Sequence, residues 1–172
     1  QALSGEAKQT FWPLGYMIQA ISMAVSFAGE NTVVTLDDRQ VEGETVIAII
    51  SNARIYGALA QIAPNASIDD GLLDVCILRG KGGLPQISLF TIGALLQRPE
   101  IAGVVDYYRS RELTITSKVP FYVQTDGDLL GTTPMTFRAV PRALRILVPQ
   151  QVPPGLFAQP GRPPARSQME NP

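Results

Sequence analysis

The tripeptide Asp126-Gly127-Asp128 sets two carboxylates on either side of a glycine. Such a pair can hold Mg²⁺, or divide the work, one member accepting a proton while the other binds the metal. Asp-Gly between two alternating runs is also a strong hairpin signal, and turn and active site are compatible readings. A second group, Asn65-Ala66-Ser67-Ile68-Asp69-Asp70-Gly71-Leu72-Leu73-Asp74, offers two adjacent carboxylates and a third four residues on. Oxygen ligands of this kind suit a hard cation, but an EF-hand is excluded. Its sixth position needs glycine and holds Asp70; its twelfth needs glutamate and holds Cys76. Read by periodicity alone, Asp70-Gly71 is a turn opening a strand. The third group is Ser51-Asn52-Ala53-Arg54-Ile55-Tyr56-Gly57, where Asn52 ends an apolar run and must find partners. It either pins a loop or faces a ligand.

What the chain lacks narrows the chemistry further. There is no histidine among its 172 residues, which removes Ser-His-Asp, Cys-His and His-ligated zinc chemistry. The single cysteine, Cys76, sits in the run Leu73-Asp74-Val75-Cys76-Ile77-Leu78 and reads as a small core residue. No internal disulfide or cysteine metal cage can form. The work falls to carboxylates, hydroxyls, lysine or arginine, backbone groups or a hard metal ion. Fourteen basic and fifteen acidic residues argue against a nucleic-acid-binding surface. The balance is uneven, with a net −5 over residues 1–80 and +3 over 81–150. Arg138, Arg142 and Arg145 are either solvated strand charges or a means of orienting an anion.

The elements that must position these groups are read from periodicity. Apolar residues at helical spacing predict an amphipathic helix over 11–27, and a second helix is predicted over 84–97 with Pro85 near its start. The longest apolar stretch, residues 14–27, is interrupted by Gln19, Ser22 and Ser26 and falls short of a membrane span. Strands are predicted over 32–36, 45–50, 72–78, 111–117, 121–125, 134–139 and 144–148, with 45–50 buried on both faces. Residues 37–40 read as a turn and 80–83 as a loop without the spacing of a phosphate-binding P-loop. The fold class expected is α+β, mainly β: a two-layer antiparallel β-sandwich-like domain with a few peripheral helices. Its boundaries are 1–149, followed at 150–172 by a Pro-rich flexible tail holding six of the fourteen prolines, with Leu156 and Phe157 as the residues that would pin it. The chain opens at Gln1 without methionine and is read as a fragment of something longer.

Taken in order, Asn52, Tyr56-Gly57, Ile62-Ala63-Pro64-Asn65-Ala66, Asp70-Gly71-Leu72-Leu73-Asp74-Val75, Asp126-Gly127-Asp128 and Pro141-Arg142-Ala143-Leu144-Arg145-Ile146-Leu147-Val148-Pro149 resemble one family. It is the second domain of the diacylglycerol kinase-type lipid kinases, which include the sphingosine and ceramide kinases. The resemblance covers about residues 10–149. It implies a two-domain parent with its active site in the cleft, a β-rich second domain, ATP as phosphoryl donor and Mg²⁺ as cofactor. By motif, Asp126 becomes the catalytic base on the lipid hydroxyl and Asp128 a ligand of the catalytic Mg²⁺. Asp70 and the carbonyl of Leu72 match a structural Mg²⁺ position. Asn52 and Gly127 are further site candidates.

Three departures accompany the match. No Gly-Gly-Asp-Gly signature is present, so the nucleotide-binding domain lies outside this sequence; Asp128 stands where the family has glutamate; and the glycine cluster after Asn52 is reduced to Tyr56-Gly57-Ala58-Leu59. The implied function is the C-terminal domain of a cytoplasmic, peripherally membrane-associated kinase, inactive as this chain alone. Its parent phosphorylates a lipid hydroxyl, first of all diacylglycerol to phosphatidic acid. The alternatives are a non-catalytic lipid- or protein-binding module and a kinase of sphingoid bases or other lipid alcohols. The partners are ATP and a lipid at the membrane surface, with homodimerisation left open.

Overall fold

The computed structural model describes residues 28–56, 60–98, 104–148 and 155–158. The helix expected over 11–27 lies outside them, as does most of the 150–172 tail. The strands are β1 (Glu30–Thr35), β2 (Gln40–Ser51), β3 (Ile55–Tyr56), β4 (Ala60–Gln61), β5 (Leu73–Arg79), β6 (Val105–Ser110), β7 (Glu112–Ser117), β8 (Tyr122–Thr125), β9 (Asp128–Thr132) and β10 (Met135–Arg138); the helix α1 spans Leu84–Leu95. Six strands form one sheet in the order β10-β7-β1-β2-β5-β6, and every neighbouring pair is antiparallel. β3–β4 and β8–β9 are separate two-stranded ribbons.

This sheet folds over on itself at two corners. The first is in β2. Its residues 40–45 pair with β1, its residues 45–51 pair with β5, and the register shifts between Thr45 and Ile47. The extra residue, Val46, makes a β-bulge, which bends a strand and lets it pass from one layer to the next. It also explains the side-chain pattern: Val46 and Ile47 both belong to the same apolar cluster, although neighbours on a regular strand point to opposite faces. Where the bulge opens the ladder, Arg79 donates to the Thr45 hydroxyl (2.9 Å) and the Gly43 carbonyl (3.3 Å), and its Nε bonds Asp106 at 2.7 Å.

The second corner is the junction of β6 and β7, which lie four places apart in the sheet yet are separated by Arg111 alone. That requires the sheet to bend until the end of β6 and the start of β7 come together. Asp37, in the β1–β2 turn, holds the corner closed. Its carboxylate accepts the Arg111 N–H (2.6 Å) and the Glu112 N–H (2.9 Å), and its own N–H donates to the Ser110 hydroxyl (3.0 Å). Desolvation pushes this carboxyl up, but the two backbone donors, the Ser110 hydroxyl and the Arg111 charge together hold it below the usual range.

Between the layers lies a core of Val34, Leu36, Val75, Ile77, Leu113 and Ile115. The opposite face of β5 carries Cys76 and Leu78, which pack with Val46 and Ile62 under Ile87, Phe90 and Ala94 of α1. β5 is thus buried on both faces, and residues 45–50 of β2 pack against both clusters, as their continuous apolar runs predict. The mainly β, sandwich-like α+β class expected from the sequence is the one observed, with one helix among the described residues. Pro85 stands in the first turn of α1, where its missing N–H costs nothing, and the Gln86 side chain bonds back to the Gly82 N–H (3.1 Å) and the Arg79 carbonyl. No helix of the described residues is long and apolar enough to cross a membrane.

Two expectations are corrected. Residues 144–148 are not a strand; Leu144, Ile146, Leu147 and Val148 are exposed, without strand pairing. A β-branched run forms a strand only where an edge accepts its backbone, and none of the described strands does so here. β6, which carries charged residues, was not anticipated, and β9 was implied only as the second arm of the Asp126-Gly127 hairpin, without a range of its own.

Candidate functional site

The β8–β9 hairpin is anchored at its base and free at its tip. At the base, buried Thr133 donates its N–H to the Phe121 carbonyl (2.9 Å), its hydroxyl accepts the Phe121 N–H (2.9 Å), and it pairs with the Ser117 hydroxyl (2.6 Å). At the tip, Thr125 pairs with Asp128 across the two-residue loop Asp126-Gly127, whose φ angles are 50° and 103°. Positive φ at both central positions is the type I′ turn that matches strand twist; glycine takes the second position freely and aspartate tolerates the first. The Gly127 N–H is tied to Gln124 Oε1 at 2.7 Å. Asp126 and Asp128 are both exposed, and neither has a hydrogen-bond or ion-pair partner among the described residues. The hairpin therefore presents two unengaged carboxylates on a fixed turn. That fits a magnesium ion held mostly by water and phosphate oxygens, which needs only one or two protein carboxylates.

The Asp70 region is built differently. Asp70-Gly71 is the expected turn, with Gly71 at φ 74° and Asp70 Oδ1 accepting the Leu72 N–H at 2.9 Å. The second carboxylate oxygen of Asp70 is bonded by the Arg109 guanidinium. Arg109 lies opposite Asp74 in the β5–β6 ladder, and its Nε is 3.3 Å from Asp74 Oδ1, too poorly aligned to be a hydrogen bond. The Tyr107 hydroxyl donates to the same Asp74 oxygen. The Asp74 side chain is fully buried, and its Oδ2 has no hydrogen-bond partner. Burial pushes this carboxyl up to about 6, with the Asp70 charge adding and the Arg109 charge opposing.

The loop over residues 62–72 is tied down from the other side as well. Asn52 Nδ2 donates to the Ile68 carbonyl (3.3 Å) and Arg54 Nε to the Ala66 carbonyl (2.9 Å). Asn52 thus acts as a loop-pinning residue. The Ile68 N–H donates to the Leu156 carbonyl (3.1 Å), and Asp69 Oδ1 accepts the Ala158 N–H (2.7 Å), so residues 155–158 lie against this loop.

These contacts do not fit the structural Mg²⁺ expected at Asp70 and Leu72. A divalent ion there needs about six oxygen ligands, with carboxylates free to face it. Asp70 is engaged on both oxygens, one by a cation; Asp69 is turned to the Ala158 amide; Asp74 lies buried behind Arg109. Among the described residues no three acidic or cysteine side chains gather at metal-binding distance. No hydrogen bond or ion pair joins Asp126 or Asp128 to this cluster. Tyr107 and Arg109 were missed by the sequence reading. The available signal was Asp74 itself, since an acid inside an apolar strand calls for a donor on the neighbouring strand.

Residues 2–148 match the model of a family described as the YegS C-terminal NAD kinase beta sandwich-like domain. The chain belongs to this family. Among curated proteins it is 27% identical over 142 residues to a "Probable lipid kinase YegS-like" of Shewanella frigidimarina, covering 80% of this chain and 44% of that protein. It is 29% identical over 156 residues to a diacylglycerol kinase of Mycobacterium tuberculosis, covering 86% and 48%. A solved structure of a diacylglycerol kinase from Bacillus anthracis shares the fold, with a TM-score of 0.54 at 22% identity over 78% of this chain and 47% of that one. The chain spans about half the length of the curated relatives it matches. Residues 155–158, bonded to the 62–72 loop, lie beyond the part that the family covers.

Proposed function

We propose that this family member is the C-terminal domain of an ATP-dependent lipid kinase, and that its parent phosphorylates a lipid hydroxyl, diacylglycerol first among the candidates. The observation that carries the reading is the β8–β9 tip. An I′ turn leaves the Asp126 and Asp128 side chains exposed and unpartnered among the described residues, in a domain whose named relatives are lipid and diacylglycerol kinases about twice its length. Such a tip is suited to complete a cleft with a second, nucleotide-binding domain. In the transfer, the lipid oxygen bonds to the γ-phosphorus, the bond from that phosphorus to the β–γ bridging oxygen breaks, and ADP departs. The lipid hydroxyl proton passes to the Asp126 carboxylate. Asp128 would hold Mg²⁺, which when bound would supply positive charge to the phosphate oxygens. Positioning, charge and a base are what phosphoryl transfer asks of protein, so the absence of histidine and of a reactive thiol is no obstacle.

The lipid acceptor places the parent at a membrane surface on the cytoplasmic side, where ATP is available. The test is transfer of labelled phosphate from ATP to a panel of lipid alcohols in mixed micelles, using the native-length polypeptide. Transfer to diacylglycerol alone supports the reading as stated, and transfer to a sphingoid base instead corrects the acceptor. No transfer to any lipid by a folded protein overturns it in favour of a binding module.

A further inference from the structure

The acidic loop beside β5 already contains a cation, and it is a side chain. Arg109 projects from β6 to bond Asp70 and reaches within 3.3 Å of Asp74. The Arg54 charge also acts on Asp74, so a second guanidinium offsets the acidic charge of this region beside Arg109. The Arg109 guanidinium takes one oxygen of Asp70, and the other is spent on the turn it caps. A dication here would have to displace Arg109 or sit against its positive charge with fewer oxygen ligands than it requires.

We propose that Arg109 is the built-in counter-cation of the Asp70–Asp74 loop, clamping residues 62–72 to the sheet in place of a structural divalent ion. Its function is positional. The clamped loop also receives Asn52, Arg54 and residues 155–158, so one arginine fixes the meeting point of three segments distant in sequence. The proposal stands on the chain's own stability and is independent of the kinase reading.

The experiment is thermal unfolding of the full 172-residue chain in EDTA, in 10 mM MgCl₂ and in NaCl of matched ionic strength, for wild type, Asp70→Asn, Arg109→Met and the double variant Arg109→Met/Asp70→Asn. Wild type should melt at the same temperature in all three solutions. A magnesium site with a Kd a hundredfold below the ion concentration would instead raise Tm by roughly 5–10 °C. Arg109→Met should lower Tm by about 10 °C by removing the ion-pair partner of half-buried Asp70 and the nearest cation to buried Asp74, and the added Asp70→Asn should restore part of that loss. A magnesium-specific rise in wild type that disappears in Asp70→Asn overturns the proposal, as does an Arg109→Met chain as stable as wild type. A rise that survives Asp70→Asn comes from another site and supports the proposal, because the Asp70 loop then gains nothing from magnesium. Should Arg109→Met not fold, the wild-type and Asp70→Asn curves still decide.

Discussion

Replacing Asp74 by asparagine should stabilise the protein at neutral pH and leave it little changed in acid. Asp74 is fully buried, bonded by Tyr107 on one oxygen and unpartnered on the other. Its carboxyl is raised from 3.8 to about 6, so the folded protein binds this proton more tightly than the unfolded chain does. Stability therefore falls as pH rises from about 4 through about 6, and is constant above that for this group. A shift of about two units corresponds to about 3 kcal/mol, the cost carried by the ionised native state at pH 7.5. Asparagine keeps an oxygen for the Tyr107 hydroxyl and removes that cost. Asp74→Asn should thus gain up to about 3 kcal/mol at pH 7.5, a Tm rise of roughly 5–10 °C, and should lose the advantage near pH 4. The assay is urea unfolding of both chains at half-unit steps from pH 4 to 7.5, read as the difference between them, because other carboxylates add slopes of their own. A difference that is flat across this range, or that grows towards acid, would refute the reasoning.

Other consequences follow from single contacts. Asp37→Ala should cost about 1–2 kcal/mol by orphaning the Arg111 and Glu112 amides at the β6–β7 corner; because the Asp37 carboxyl is lowered, this loss should be full above about pH 4 and fade below it, as a pH series of unfolding curves will show. Cys76 is buried and its thiol is pushed up to about 12 by desolvation, so it should resist a maleimide at pH 8 in the native protein and react fully in denaturant. The Ile68 amide, bonded to the Leu156 carbonyl, should exchange slowly in the full chain and at least tenfold faster in a chain ended at residue 150.

How much of this was legible in the sequence depended on whether a residue's partner was local. The β8–β9 turn was readable because Asp126-Gly127 determines its own φ angles. The double-sided burial of 45–50 was readable because every residue there is apolar or small. The first half of β2 was not, since its polar residues serve the other layer and the bulge at Val46 depends on two different strands. β6 was overlooked because Asp106 and Arg109 look out of place in a strand until their side-chain partners, Arg79 and Asp70, are seen. The same non-local pairing sets an ion pair, Arg109 with Asp70, at the expected metal position. Residues 144–148 failed in the reverse sense, carrying strand-forming residues without an edge to join.

The most direct test of the central claim is the rate of phosphate transfer to diacylglycerol by the native-length protein and by its Asp126→Asn variant, with equal Tm confirmed beforehand. Loss of a proton-accepting carboxylate should lower kcat by about 10²–10⁴-fold while leaving KM for the lipid nearly unchanged. A variant that retains kcat within a few fold of wild type would contradict the assignment of the hairpin tip to the chemistry.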